Sequence, residues 1–162
     1  MTKRERTPRK EVDNPGVRVP PPLVIVGTLL LGLDLDGRLT AWPEFMFITT
    51  LFGGLVGSAG LAIIARTFGL FRKAETRAEP WQPATALVRS GVHKVSRNPM
   101  YLGMLATYGG VALAMQSVSA LLLLLPLFMT INWFVVRREE AYLQRRFGSA
   151  YDEYRREVRR WI

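Results

Sequence analysis

Ser96-Arg97-Asn98-Pro99-Met100-Tyr101-Leu102-Gly103 is the point at which a basic stretch punctuated by Pro and Gly gives way to a long apolar run. Asn98 suits an N-cap because its side-chain oxygen can accept a free backbone N–H. Pro99 suits the first helical position, where no donor is needed and its fixed φ is already helical. A helix is therefore predicted to start here. Helix starts carry unpaired N–H groups and partial positive charge, so this one favours an anion, and the planar fork of Arg97 matches a carboxylate or phosphate. The local chemistry is that of an anion-binding corner at the mouth of an apolar helix.

Downstream of the corner, Met100 to Val118 and Ala120 to Val136 are two apolar stretches joined near Gln116-Ser117, a connection short enough only for a helical hairpin. Pro126 is expected to kink the second of them, and Asn132 to find a partner inside the bundle. Upstream, Phe45 to Ala65 carries no charge and ends at Arg66, which makes it the strongest spanning segment. Gly53, Gly57 and Gly60, with Gly54 beside them, give it a small-residue face on which another helix can approach closely. Leu23 to Leu35 is a first membrane helix, short against the roughly 20 residues a span needs. The fold class is thus all-α: an integral membrane bundle of about four hydrophobic helices.

Beyond Glu140, Leu143, Phe147, Tyr151, Tyr154, Val158 and Trp161 recur at spacings of three and four opposite a basic face. Gly148 followed by Ser149 and Asp152 reads as a stop and a new cap, so two C-terminal amphipathic helices are predicted, the last lying at the interface.

Composition agrees with a membrane protein. Of 162 residues 49% are hydrophobic, yet the charges segregate into the N-terminal tail, the Arg72 to Arg97 loop and the C-terminal region. A net charge of +9 then speaks for anionic headgroups. It argues against nucleic acid, since Lys and Arg flank apolar spans instead of lining one soluble surface. Absent cysteine excludes disulfides, thiolate metal sites and a cysteine nucleophile, and no metal site is expected. Residues 1–19 read as a disordered basic tail and 20–162 as one membrane domain. A turn falls at Gly37 to Pro43, and Trp81, framed by Pro80 and Pro83, suits the headgroup layer. The basic loops all share one side, which puts both termini in the cytoplasm.

Because the hairpin folds back on itself, Arg97-Asn98 with Tyr101 and Arg137-Arg138-Glu139-Glu140 return to the same membrane face. Charges at such a depth are costly unless paired or functional. Two readings stand side by side: an Arg97 to Glu139 or Glu140 ion pair that pins the hairpin, or one wall each of a site.

The Ser96 to Gly103 motif, the hydrophobic hairpin, Arg137-Arg138-Glu139-Glu140-Ala141-Tyr142-Leu143 and the stretch from Phe147 to Trp161 together resemble the isoprenylcysteine carboxyl methyltransferase and phospholipid methyltransferase group of integral membrane enzymes. Leu87-Val88-Arg89-Ser90-Gly91 fits the same pattern, and the resemblance covers residues 76–161. It implies S-adenosylmethionine as cofactor, held by Arg97, Asn98, Pro99, Met100, Tyr101 and Gly103 on one side and Glu139 and Glu140 on the other. It also implies methyl transfer to a lipid or a prenylated or otherwise amphipathic small molecule. Arg97 and Tyr101 are the candidate catalytic residues. A carboxylate acceptor needs no base, whereas an amine must first lose a proton, and His93 is the one histidine available for that. Asn98 stands where many family members carry His, which keeps a cap and a hydrogen-bonding edge but removes a cation. The alternatives are a nicotinamide-dependent membrane reductase of the sterol type, whose closing region is similar, and a non-catalytic membrane scaffold.

Overall fold

The computed structural model describes residues 15–17, 19–36, 45–77 and 82–162. The predicted turn at Gly37 to Pro43, Pro80 with Trp81, and residues 1–14 and 18 of the predicted tail lie outside them. Among the described residues there is no strand. The helices are α1 (Pro21–Leu35), α2 (Met46–Lys73), α3 (Pro99–Ala114), α4 (Val118–Thr130), α5 (Arg137–Phe147) and α6 (Ser149–Glu157). A wide π turn, Ile131–Val136, joins α4 to α5.

Among the described residues two helices reach spanning length: α2, and the continuous run Val118–Phe147. Only 17% and 22% of their most apolar stretches are buried within the protein. Core helices of a soluble protein would be covered, so these faces belong to lipid. The 15 residues of α1 and 16 of α3 make helices of about 22 and 24 Å, short of the roughly 30 Å hydrocarbon layer.

The small-residue face of α2 packs as predicted, and its partner is α3. A Cβ added to Gly53 would lie 2.5 Å from the Gly110 carbonyl oxygen and the Ala114 nitrogen, and one on Gly60 would lie 2.6 Å from the Gly103 carbonyl oxygen. A Cβ on Gly110 would collide with Gly57. The backbones therefore touch along several turns. A Cβ on Gly54 would meet nothing within 4 Å, so this glycine faces outward.

The hairpin turn forms at Gln116, whose φ is +53°, and Ser117 caps α4 by accepting the Ala120 N–H at 3.1 Å. Asp36 accepts the Ser119 N–H at 3.0 Å, and Gly32 sits against Ala120, which fixes α1 on the start of α4. Helix continues through Pro126, where a kink was expected, and through the charged residues beyond Val136. Pro126 lies inside α4, with the Thr130 hydroxyl donating to its carbonyl at 2.9 Å. Arg137 to Glu140, good helix formers, carry the same helix on to Phe147 instead of closing it. Within the π turn, Ile131, Val135 and Val136 are buried, while Trp133 and Phe134 face out.

The break at Gly148 is present, with φ +53°, and Gly148 itself occupies the cap position that Ser149 was expected to fill. The apolar stripe of α6 packs inward: Tyr151, Tyr154 and Val158 form a cluster with Leu87, Leu143 and Phe147. Val17, at the end of the predicted tail, is 8% exposed and belongs to the main core.

Candidate functional site

Pro99 opens α3 as its first residue and Asn98 holds the cap position, yet the side chain of Asn98 caps nothing. Its amide donates instead to the Arg160 carbonyl at 3.0 Å, while the Asn98 N–H donates to the Ser96 hydroxyl at 3.1 Å. The expected cap bond is therefore replaced by a tertiary one. A closing segment of the chain, not the helix, claims the amide.

The two ends of the hairpin meet. Tyr101 donates to Glu139 at 2.5 Å, and Arg97 pairs with Glu140 at 3.0 Å. Both side chains of that ion pair are about nine-tenths buried, at 10% and 11% exposure. Burial at this level leaves little solvent screening, so loss of Glu140 would strand the Arg97 charge. Arg160 reaches the same carboxylate from the other side, with bonds of 3.1 Å from Nε and 2.6 Å from Nη2. Arg97 is further held by a 3.5 Å bond to the Tyr151 hydroxyl.

These groups open onto a cleft of about 730 Å³, part of it open to solvent. His93, Arg97, Asn98, Glu139 and Glu140 line it, together with Phe71, Thr76, Arg77, Tyr142, Tyr151 and Tyr154, which were not assigned to a site from the sequence. Pro99, Met100, Tyr101 and Gly103 are not among its lining residues. Tyr101 is connected to the cleft at one remove, through its bond to Glu139. Gly103 is pressed against Gly60 and Ile64, so it gives clearance to α2 and not to the cleft.

Loop 82–98 forms the opposite wall and is tied down from several sides. The Tyr142 hydroxyl accepts the Ala84 N–H at 3.0 Å, and Arg89 pairs with Glu153 at 2.9 Å and bonds the Ala150 carbonyl. Tyr154 donates to the His93 carbonyl at 2.7 Å. His93 sits in a short turn, Gly91–Lys94, edge-on to Phe71 at 5.3 Å, with only 4% of its surface exposed. Burial pushes its imidazole down to about 4, so it is neutral near pH 7. Burial, reinforced by Glu140, pushes the Tyr151 hydroxyl up to about 12, and burial raises Tyr154 as well. Both phenols thus remain hydrogen-bond donors. Two polar atoms of the lining residues are buried without a partner, Arg97 Nε and His93 Nδ1. Buried groups without a partner are rare in folded proteins.

Fold and cleft together define a helical membrane protein with a polar clamp built between the ends of a helical hairpin. The match to known families makes this specific: the chain belongs to the phospholipid methyltransferase family, whose model matches residues 48–150. The matched region takes in α2, the loop wall, the hairpin and both glutamates. An uncharacterized protein of Haemophilus influenzae is 36% identical over 63 residues, which are 39% of this chain and 100% of that protein. No solved structure matches the chain.

Proposed function

We propose that the protein transfers a methyl group from S-adenosylmethionine to a lipid-embedded or amphipathic acceptor at the boundary of membrane and cytoplasm. The observation that carries this reading is the pairing of Arg97 with Glu140 and of Tyr101 with Glu139 in one cleft of a phospholipid methyltransferase family member.

The residues fit the cofactor. Its methionine portion carries a carboxylate and an ammonium, and the cleft offers a cation with a free buried N–H, Arg97, beside a carboxylate, Glu139. Phe71, Tyr142, Tyr151 and Tyr154 offer aromatic walls for a planar base. Bound there, S-adenosylmethionine would supply an electrophilic methyl group. The protein's part is alignment and exclusion of water, since methyl transfer to a carboxylate requires no proton movement. With an amine acceptor, neutral His93 could accept a proton, though its low proton affinity makes it a weak base.

The acceptor's apolar part has a place of its own. A second, mainly apolar groove, open to solvent, is lined by Val17, Val19, Pro21, Val24, Ile131, Phe134, Val135 and Arg138. In this reading the basic loops, and with them both termini, face the cytoplasm.

The decisive experiment incubates purified protein with methyl-labelled S-adenosylmethionine and a total lipid and membrane-protein extract, then identifies the labelled product. Label in a lipid or prenylated product, lost in Glu139→Gln and Arg97→Lys variants that still fold, supports the proposal. Folded wild type that neither binds S-adenosylmethionine nor transfers label, or that binds reduced nicotinamide in its place, overturns it.

A further inference from the structure

After α6 the chain turns extended at Val158 and crosses both halves of the clamp within three residues. The Arg159 carbonyl accepts the Arg97 N–H at 3.0 Å. The Arg160 carbonyl accepts from Ser96 Oγ at 3.3 Å and Asn98 Nδ2 at 3.0 Å, and the Arg160 guanidinium grips Glu140. Trp161 anchors the far end by donating to Asn132 at 3.3 Å, its ring 5.0 Å from that of Phe128. The strap thus joins loop 96–98 to the long helix on either side of the π turn.

The division of Glu140 between two arginines has a chemical consequence. Arg160 uses its two-pronged edge, Nε to one oxygen and Nη2 to the other. Arg97 meets the carboxylate through Nη1 at 3.0 Å, and its Nε is buried and unpartnered. Without Arg160, the same carboxylate would be free to take Arg97 side-on, through Nε and an Nη together, which is the favoured two-bond geometry of the pair. That would occupy the Nε edge of Arg97, a residue of the cleft lining.

We propose that Arg160 is a positioning residue: by taking the two-pronged face of Glu140 it keeps the Nε edge of Arg97 available to an anionic group of the ligand. The ligand's carboxylate is the group concerned, so the inference rests on the cofactor reading above. Neither Arg160 nor the strap need touch the ligand.

The test compares wild type with Arg160→Gln, Arg160→Lys and Asn132→Ala, the last loosening the strap at Trp161 without touching Glu140. The first readout needs no cofactor: the NMR signal of the Arg97 Nε–H in detergent-solubilised, nitrogen-15-labelled protein. Arg160→Gln should move it to the position of a hydrogen-bonded Nε–H, and Asn132→Ala should leave it in place. The second readout is the KM for S-adenosylmethionine against kcat. Arg160→Gln should raise KM by about tenfold or more with kcat within about twofold, Arg160→Lys should restore part of the loss, and Asn132→Ala should have a smaller effect. An unmoved Arg97 signal in folded Arg160→Gln, or equal KM changes in Arg160→Gln and Asn132→Ala, overturns the inference. Failure of wild type to bind S-adenosylmethionine, with the Arg97 signal shifted by Arg160→Gln, overturns the proposed function while the two-arginine arrangement stands.

Discussion

Tyr101 donates its phenolic proton to Glu139 at 2.5 Å across 38 positions of sequence, with the whole apolar hairpin between them. The bond holds a carboxylate at the wall of the cleft and is out of reach of solvent on the tyrosine side, where only 6% of the residue is exposed. Tyr101→Phe keeps the ring and removes the donor. A hydrogen bond to a charged group contributes about 1.5 to 3 kcal/mol. The variant should therefore have a lowered melting temperature and, if Glu139 holds the proposed cofactor, weaker binding of S-adenosylmethionine by calorimetry. Wild-type affinity in Tyr101→Phe would show that this bond does not orient Glu139 for binding.

The contact of α2 with α3 gives a second prediction. Gly110→Ala puts a methyl against Gly57 and the Gly53 carbonyl, backbone atoms that cannot rotate away. Overpacking of this kind costs about 1 to 3 kcal/mol, and the stiff neighbours put this site at the upper end. Gly54→Ala points into open space and replaces a helical glycine, so it should be neutral or stabilising by up to about 1 kcal/mol. Thermal unfolding in detergent separates the two. Similar melting temperatures would mean that the helices do not approach through these glycines.

How much of this was legible follows from the kind of signal each residue gives. The glycine face of α2 and the return of Glu139-Glu140 to Arg97 depend on helical spacing and hairpin closure, both written locally in the chain. Tyr151 and Tyr154 were legible as an amphipathic stripe but not as cleft lining. Spacing of three and four looks the same whether the face meets lipid or the protein's own loop. Arg160 was not distinguishable at all among Arg155, Arg156, Arg159 and Arg160. Only the tertiary contact with Glu140 singles it out. The long helix was underestimated because charge at Arg137 to Glu140 signals the end of an apolar stretch, which is not the end of a helix.

His93 sets a pH dependence whose sign can be worked out. Its imidazole titrates near 6.5 when the chain is unfolded and at about 4 when buried beside Phe71. Between those values the unfolded state binds a proton that the folded state refuses, so stability is full above about pH 6.5 and falls as the pH drops toward 4. The full difference is on the order of 3 kcal/mol. Carboxylates add their own acid dependence, so the informative quantity is the difference between wild type and His93→Gln. The melting temperature of wild type should fall more steeply between about pH 7 and pH 4.5 than that of the variant. Parallel curves would mean that His93 is protonated in the folded protein.

Asn98 is the position at which this chain departs from the resemblance seen in its sequence, and its contacts say what the side chain must do. Its amide N–H donates to the Arg160 carbonyl and it caps nothing, so the requirement is for a donor aimed at the strap. A histidine ring N–H can meet that requirement, whereas an aspartate cannot, because it would set a negative oxygen against the carbonyl in a site where Asn98 is only 7% exposed. Asn98→His should therefore stay close to wild type in stability and cofactor affinity. Asn98→Ala should lose about 1 kcal/mol, the net value of one neutral hydrogen bond, with the Arg160 carbonyl keeping its Ser96 donor. Asn98→Asp should lose more than Asn98→Ala despite its closer shape, and its C-terminal residues should be released fastest by carboxypeptidase. The order His, Ala, Asp is what a donor role predicts. A cap role predicts the reverse for Asp, a good N-cap residue, and an Asn98→Asp variant as stable as wild type would return the side chain to the helix start.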